Sequence, residues 1–527
     1  MMKKRIAGLL ALCMVLSTFT GCGTNKPNET VNEGSVLSNT VEATNFVDEN
    51  REISAPKYVF LFIGDGMSYP QIQSTSDFLG ALNDEDYFMA QPSLEDNQGA
   101  TLDGPEYLNF MNFETVGSAV TYDSNSFAPD SASTATSIST GRKTYSGTIN
   151  VDVTGTETFE TITEKVHEQL GMKVGIISSV NLNHATPAAF YAHQASRNNY
   201  YEIGEELVAS GFDFFAGGGL KKTTGYDSEN PLPNLYDLAK EAGYTVTFTD
   251  EEAAAVTAET GKVILIDEHL ADSDAMAYEL DRTDDMWSLA DYVEKGIEVL
   301  DNDKGFFMMC EGGKIDWACH ANDAASTIHD TKAFADAVQV AIDFAKEHAD
   351  ETLIIVTGDH ETGGLTIGFA GTDYDTYLTL LESQKISFQK FDDEYIAAYK
   401  ENGTTFEEAL IDIESLFGLK TEGEESDKLV LTAYELEQLR IAFEKSINGT
   451  ETGADAQLEY VMYGTYEPLS VTLTHILNNK SGISFTSYSH TGLPVAVLAD
   501  GVNADDFNGY YDNTEIFNKM AEMLNVE

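Results

Sequence analysis

The sequence predicts an α/β fold with a largely parallel central sheet flanked by helices, and three observations carry that prediction. Short apolar runs recur along the 527 residues: YVFLFI (58–63), KVGIISSV (173–180), FDFFAGG (212–218), KVILI (262–266), FFMMC (306–310), TLIIVTGD (352–359) and PVAVLAD (494–500). Runs without polar alternation fit strands covered on both faces. Amphipathic stretches at 196–210, 287–300 and 323–347 separate several of them, and strand–helix alternation is the pattern of a parallel sheet. Acidic and imidazole residues follow several of the runs, and in such sheets ligands gather at the carboxyl ends of the strands.

The N-terminus precedes this domain. MMKKRIAGLLALCMVLSTFTGC joins a basic start (Lys3, Lys4, Arg5) to an apolar run from Ile6 to Phe19 and small residues before Cys22. That is the order of a secretory signal over residues 1–21. The ending FTGC resembles a bacterial lipobox, which predicts lipidation of Cys22 and an extracytoplasmic protein anchored to the bacterial cell membrane by an N-terminal lipid. The run falls short of the roughly 20 residues that span a bilayer. Residues 22–54, rich in Asn, Glu, Thr and Ser, are expected to be a flexible tether.

Charge narrows the function. The formal net charge is −58, and loss of Lys3, Lys4 and Arg5 with the signal makes it −61. Nucleic acid and anionic lipid surfaces are poor partners for such a field, so contact with the membrane is expected through the lipid alone. An anionic substrate needs concentrated local positive charge against that background, and bound metal is an economical source. Of four cysteines, Cys13 leaves with the signal and Cys22 takes the lipid. Cys310 and Cys319 are expected to be unpaired buried thiols, with a disulfide or proximity to zinc as alternatives.

Taken in chain order, the strand ends then supply chemistry. YVFLFI runs into GDGMS, placing Asp65 between two glycines. PDSASTATSISTGRKT carries Ala132, Ala135 and Ile138 at helix-compatible spacing and Gly141 as a stop, so it predicts a helix with Ser131 at its N-terminal end. FFMMC runs into EGGKIDWACH, giving Glu311, Asp316 and His320; TLIIVTGD ends at Asp359 and His360. Asp316 and His320 sit four apart, on one face of a helical turn. A mixed oxygen and nitrogen set suits zinc, whereas carboxylate and hydroxyl suit magnesium. Residues 370–480 interrupt the rhythm with acidic helical patterns such as FEEALIDIESLFG, and are expected to be a mostly helical insertion or cap between two parts of a catalytic domain, 55–369 and 481–527.

Together the motifs IGDGM, PDSASTATSISTGRKT, NHATPAAFYAHQASR, EGGKIDWACH, TGDHETGG and SHTG resemble, in order, the alkaline phosphatase family. The resemblance spans roughly residues 55–365 and 485–505. It implies a metal-dependent phosphomonoesterase with two Zn2+ and one Mg2+, working through a phosphoserine at Ser131. Asp316, His320 and His490 would hold one zinc; Asp65, Asp359 and His360, joined by Ser131, would hold the other. Asp65 would bridge to a magnesium completed by Thr186 and Glu311, with His184 nearby, and Arg197 would bind the phosphate oxygens. The resemblance also implies a homodimer. The hydroxyl chemistry agrees with it: no neighbouring Ser-His-Asp pattern activates Ser131, and a metal supplies the missing acidity. A planar guanidinium fork suits a terminal phosphate with several free oxygens.

Two positions depart from the family's pattern. Trp317 stands where many relatives carry Lys or His, which removes one cation from the clamp and leaves a ring that lines the pocket or orients substrate. His184 stands where some relatives have Asp, which opens the identity of the third metal. His193 is expected on a helix leading to Arg197, in a supporting role; His167, His269, His329, His348 and His475 carry no motif. Alternatives are a phosphodiesterase or nucleotide pyrophosphatase of the same superfamily, against which Ser131 and Arg197 argue, and a surface lipoprotein that only binds.

Overall fold

The structure, a computed structural model, describes residues 55–89, 99–424 and 426–527. The signal sequence, Cys22 and the tether to residue 54 lie outside the described residues.

Ten strands form one twisted sheet: β1 (Tyr58–Gly64), β2 (Thr115–Val120), β3 (Lys173–Asn181), β4 (Phe214–Gly218), β5 (Thr245–Thr247), β6 (Val263–Ile266), β7 (Phe306–Gly312), β8 (Thr352–Gly358), β9 (Val495–Gly501) and β10 (Gly509–Asp512). Their spatial order is β10-β2-β9-β8-β1-β7-β3-β4-β6-β5. Only β9 runs antiparallel to its neighbours, β2 and β8. All seven apolar runs become strands of this sheet. Three strands had no apolar run to announce them. Thr115–Val120 carries Gly117 and Ser118 and alternates in burial, whereas Thr245–Thr247 and Gly509–Asp512 are short and lie at the two edges.

Side chains alternate between the faces of the central strands, as a two-residue repeat requires. Val59, Leu61 and Ile63 of β1 enter one apolar cluster, while Tyr58, Phe60 and Phe62 enter the cluster on the other face. Helices Leu289–Leu300 and Ala324–Glu347 cover the second face. The predicted helix at 196–210 begins only at Tyr200, so Arg197 lies in the turn before it. His193 also lies outside any helix, contrary to expectation. Its backbone N–H is taken by Glu206, and the segment is held by the Gln194–Ile149 bridge instead.

The register levels the strand ends. Gly64 pairs with Gly312 on one side and Gly358 on the other, so β1, β7 and β8 stop on one line. The residues that follow emerge side by side. At Gly358 a Cβ would lie 1.9 Å from the carbonyl oxygen of Met67, so only glycine admits this close approach.

Between Thr366–Ile367 and Ile483–Ser484, which pair antiparallel, the chain forms mainly helices, including Phe406–Phe417, Ala433–Asn448 and Pro468–Ser481. Phe391, Phe417, Leu439 and Leu469 build a third apolar cluster that continues onto Ala324, Ala325 and Ile328 of helix Ala324–Glu347. Full burial of each such large side chain contributes about 1.5–3 kcal/mol. Polar anchors fix the docking. The buried carboxylate of Asp323 accepts hydrogen bonds from Gln384 Nε2 (2.9 Å) and the Phe388 N–H (3.0 Å), and Asp281 accepts from the N–H (2.9 Å) and hydroxyl (2.6 Å) of Ser387. Among the described residues no helix is long and apolar enough to cross a membrane. Cys310 and Cys319 are free and buried, as expected.

Candidate active site

The levelled ends of β1, β7 and β8 deliver Asp65, Glu311, Asp359 and His360 to one buried point. Asp359 accepts from the N–H groups of Gly66 (3.1 Å) and His360 (2.9 Å) and from the Thr134 hydroxyl (3.0 Å). Thr134 belongs to helix Ser131–Thr140, so this contact ties the helix to the strand ends. The helix is as the sequence predicts. Asp130 caps it by accepting the Ser133 N–H at 3.1 Å, and Gly141 ends it in the left-handed region, with φ 68°. Ser131, its first residue, therefore stands at the positive end of the helix, which favours an anion. Its Oγ lies 3.1 Å from His360 Nε2 and 3.4 Å from Asp65 Oδ1.

Three histidines share one arrangement. His320 Nδ1 faces the carbonyl oxygen of Tyr488 at 2.6 Å, His490 Nδ1 faces that of Pro129 at 2.5 Å, and His360 Nδ1 faces the Thr362 hydroxyl at 3.2 Å. A carbonyl only accepts, so Nδ1 carries the proton in His320 and His490 and Nε2 presents a lone pair. Yet the two Nε2 atoms are 3.1 Å apart. Two facing lone pairs repel unless a cation or an extra proton sits between them.

The carboxylates make the same demand. Burial and the charges of Asp359, Asp316 and Glu311 push Asp65 well above the usual carboxylate range. Burial chiefly, with Asp316 added, pushes Asp359 up to about 7. Burial would raise Asp316 too, but His320, His490 and His360 hold it well below. Burial depresses His360 and His490, whereas for His320 the nearby Asp316 outweighs burial and raises it. A cluster that protonates its own carboxylates is one that cations satisfy, so the residues fit metal binding.

Donor atoms of Asp316, His360 and His490 lie within 4.8 Å of one another, and so do those of Asp65, Asp359 and His360. His360 thus belongs to both groups. His320 Nε2 joins the first through Asp316 Oδ2 at 3.3 Å. Asp65 faces two ways: Oδ1 toward Ser131 and His360, Oδ2 toward the Thr186 hydroxyl at 3.4 Å. One Glu311 oxygen accepts from Ser178; the other is buried without a partner, and burial pushes this carboxyl up to about 7. Asp65, Thr186 and Glu311 are therefore an oxygen-rich set with a vacant acceptor.

His184 sits differently. Its Nε2 is 3.3 Å from Arg197 Nη2 and its ring is edge-on to Trp317 at 5.8 Å. The structure thus places it beside the phosphate-binding candidate. Arg197 donates to Asp130 Oδ2 at 2.8 Å, and Asp130 is itself held by the Gly147 N–H at 2.9 Å. His269, which carries no motif, does lie within 4.8 Å of Asp250 and Glu268 in a partly exposed cluster.

These groups open into a cavity of about 360 Å³ lined by Ser131, Arg197, Trp317, His320 and His490. Sequence reasoning missed part of it. Lys221 follows β4 at the same carboxyl rim, and its Nζ stands 6.0 Å from the Trp317 ring. Its place after the glycines of a strand end was the available signal. Thr362, two residues past His360, donates to Asp316 at 2.5 Å and was equally within reach. Phe388 and Tyr466, which also line the cavity, had no signal, because only the docking of 370–480 brings them there.

Comparison with known proteins agrees with this geometry. A family model, alkaline phosphatase, matches residues 56–526. Two Bacillus subtilis proteins are similar over most of their length. Alkaline phosphatase 3 is 30% identical over 89% of each chain, and alkaline phosphatase 4 is 29% identical over 93% of each. A cold-active alkaline phosphatase from a psychrophilic Shewanella superposes with a TM-score of 0.69 at 28% identity, covering 89% of this chain and 99% of its own. The chain belongs to the alkaline phosphatase family and is a phosphomonoesterase.

Proposed function

We propose that the chain hydrolyses phosphate monoesters through a phosphoserine at Ser131, with Arg197 holding the phosphoryl group and zinc and magnesium bound around it. The observation that carries this reading is Ser131 Oγ at a helix N-terminus, 3.1 Å from His360 Nε2, in a cavity that also holds Arg197. The candidate zinc ligands are Asp316, His320 and His490 on one side and Asp65, Asp359 and His360 on the other; Asp65, Thr186 and Glu311 are the candidate magnesium ligands. When bound, the metals would supply acidity for the serine hydroxyl and stabilise the attacking and leaving oxygens.

The remaining roles belong to side chains. Ser131 Oγ bonds to phosphorus as the ester P–O bond breaks, and the serine proton ends on the released alcohol. Water then cleaves the Oγ–P bond, restoring the hydroxyl and releasing inorganic phosphate. Asp130 orients the Arg197 fork, whose free N–H groups bind phosphoryl oxygens. A diester offers this fork fewer free oxygens, which favours the monoester reading over phosphodiesterase or pyrophosphatase activity. His184 supports the clamp through its contact with Arg197.

Protein lacking residues 1–21 is expected to hydrolyse an aryl phosphate at alkaline pH, to lose that activity to chelator, and to regain it with zinc and magnesium. Acid quench and peptide mass spectrometry should find the phosphoryl group on Ser131. Normal turnover by Ser131→Ala overturns the covalent route, and elemental analysis identifies the metals. Lipid anchoring through Cys22 is part of the proposal, with release of Cys22→Ala protein into the medium as its test. So is a homodimer. A groove of about 610 Å³ flanked by the exposed Tyr69 and Val116 supports it, and a monomer mass by light scattering refutes it.

A further inference from the structure

Four aromatic rings line the cavity beside the metal-ligand candidates, and two of the four come from the 370–480 segment. Tyr278 follows β6, Trp317 lies in helix Lys314–His320, and Phe388 and Tyr466 belong to the helical segment; all four line the cavity that contains Ser131. The rings touch in sequence. Tyr278 and Phe388 are 5.7 Å apart at 64°, and Phe388 and Tyr466 are 5.7 Å apart at 83°. These are edge-to-face geometries, which hold rings in fixed orientations.

Exposure divides their work. Tyr278 and Phe388 are 1% and 3% exposed and act as backing, whereas Trp317 and Tyr466 are only partly buried and offer ring surface to the cavity. The backing is firm. The buried Lys314 ammonium lies 3.6 Å from the centroid of Tyr278 and 4.7 Å from that of Trp317, so one cation holds two rings from behind. Asp323 and Asp281 fix the backbone at Phe388 and Ser387. Aromatic surfaces held this rigidly lose little entropy on binding a flat group. A volume of about 360 Å³ lies in the lower part of the range of roughly 300–1,000 Å³ that suits small ligands.

We propose that Trp317 and Tyr466, backed by Tyr278 and Phe388, form a leaving-group subsite that selects phosphate monoesters whose alcohol part carries an aromatic ring over aliphatic ones. The 370–480 segment then contributes specificity, since it supplies Tyr466 and Phe388. The inference rests on Ser131 as the point of attack, because the rings contact the part of the ester that leaves. The contact is made equally before and during bond breaking, so it acts on KM and leaves kcat in place.

The test uses the metal-loaded enzyme, with phenyl phosphate and glycerol phosphate as substrates and phenylphosphonate and methylphosphonate as calorimetric ligands. Wild type is expected to prefer the phenyl member of each pair. Tyr466→Leu, which keeps the packing volume, and Tyr466→Ala are each expected to lower the phenyl-to-glycerol ratio of kcat/KM about five- to tenfold, through KM. The phenyl-to-methyl ratio of affinities should fall by the same factor. A variant that merely disturbs the segment lowers both substrates together and leaves the ratios intact. Ratios within twofold of wild type in both variants overturn the inference. If wild type hydrolyses neither ester, the phosphomonoesterase reading fails instead, and the phosphonate affinities still decide whether the subsite exists.

Discussion

Asp130→Asn separates the two tasks of one carboxylate. Asp130 Oδ1 accepts the N–H groups of Ser133 (3.1 Å) and Gly147 (2.9 Å), whereas Oδ2 accepts Arg197 Nη1 at 2.8 Å. Asparagine can keep a carbonyl at Oδ1 and caps a helix as well as aspartate does, so helix Ser131–Thr140 should stand unchanged. At Oδ2 it presents an amide donor to a guanidinium donor. A hydrogen bond between charged groups is worth about 1.5–3 kcal/mol. Both side chains here are about one-fifth exposed, which argues for the lower end. About 1.5 kcal/mol corresponds to roughly tenfold in affinity. The inhibition constant of inorganic phosphate against an aryl phosphate is therefore expected to rise about tenfold with no change in Tm. An unchanged constant at unchanged Tm refutes the idea that Asp130 aims Arg197 at phosphate; a lowered Tm shows instead that Oδ1 was lost.

Four further outcomes follow from the same geometry. Among the described residues no carboxylate forms an ion pair with Lys221, which lines the cavity; Lys221→Met is expected to raise KM for every monoester about threefold or more, and a change confined to one leaving group contradicts a role in phosphate attraction. Chelation would remove the proposed cations that offset Asp65, Asp316, Asp359 and Glu311, so Tm should fall by several degrees and recover with metal; an unchanged Tm argues against metal in the folded protein. Burial pulls His193 down, but hydrogen bonds to Glu164 and Glu206 outweigh it and raise the imidazole to about 10. Since the folded value lies above the unfolded one, its stabilisation is complete below about pH 6.5 and is lost as pH rises toward 10; relative to His193→Gln, wild type should therefore lose about 1–2 kcal/mol across that window, after allowing for partial solvent screening, and parallel Tm–pH curves exclude this. Gly358→Ala should prevent folding or abolish activity, because its Cβ meets the Met67 carbonyl oxygen at 1.9 Å; a soluble, active variant shows that the strand ends tolerate separation.

The parts legible in the sequence are those whose cause is local. A strand buried on both faces is apolar throughout, so KVILI and TLIIVTGD announce themselves, and a strand-end Asp after glycine does the same. Thr115–Val120 does not, because its pairing with β9 joins residues separated by hundreds of positions. The site divides likewise. Asp316 and His320 are readable from their spacing, whereas the contact of His184 with Arg197 arises only when two loops meet. The amphipathic stretch at 196–210 turns helical only at Tyr200, and no helix carries His193 toward Arg197: a turn before Tyr200 holds the arginine, stabilised by its N–H bond to Gly147 O at 2.8 Å. Of the aromatic rings at the cavity only Trp317, inside a motif, was legible; Tyr278, Phe388 and Tyr466 lie far from it in sequence and are brought there by the fold.

The charge of the chain bears on the proposed metal binding. At −58 the protein repels the phosphate ester it hydrolyses, yet the cavity gathers Arg197 and Lys221 beside the positive end of helix Ser131–Thr140. Those charges alone cannot balance Asp65, Asp316, Asp359 and Glu311, all buried at the strand ends. The two remedies have opposite consequences. Protonation would let the carboxylates coexist, and one proton shared between His320 and His490 would relieve their facing Nε2 atoms at 3.1 Å, but it would bring little surplus positive charge for the ester. Metal cations would relieve the carboxylates and the histidines together and would reverse the sign of the local field. On the proposed metal binding, buried acidity would let an acidic protein concentrate the positive charge it lacks elsewhere. It follows that neutralising surface carboxylates should speed substrate capture in a salt-dependent way, whereas Asp359→Asn should abolish turnover although it too removes a negative charge.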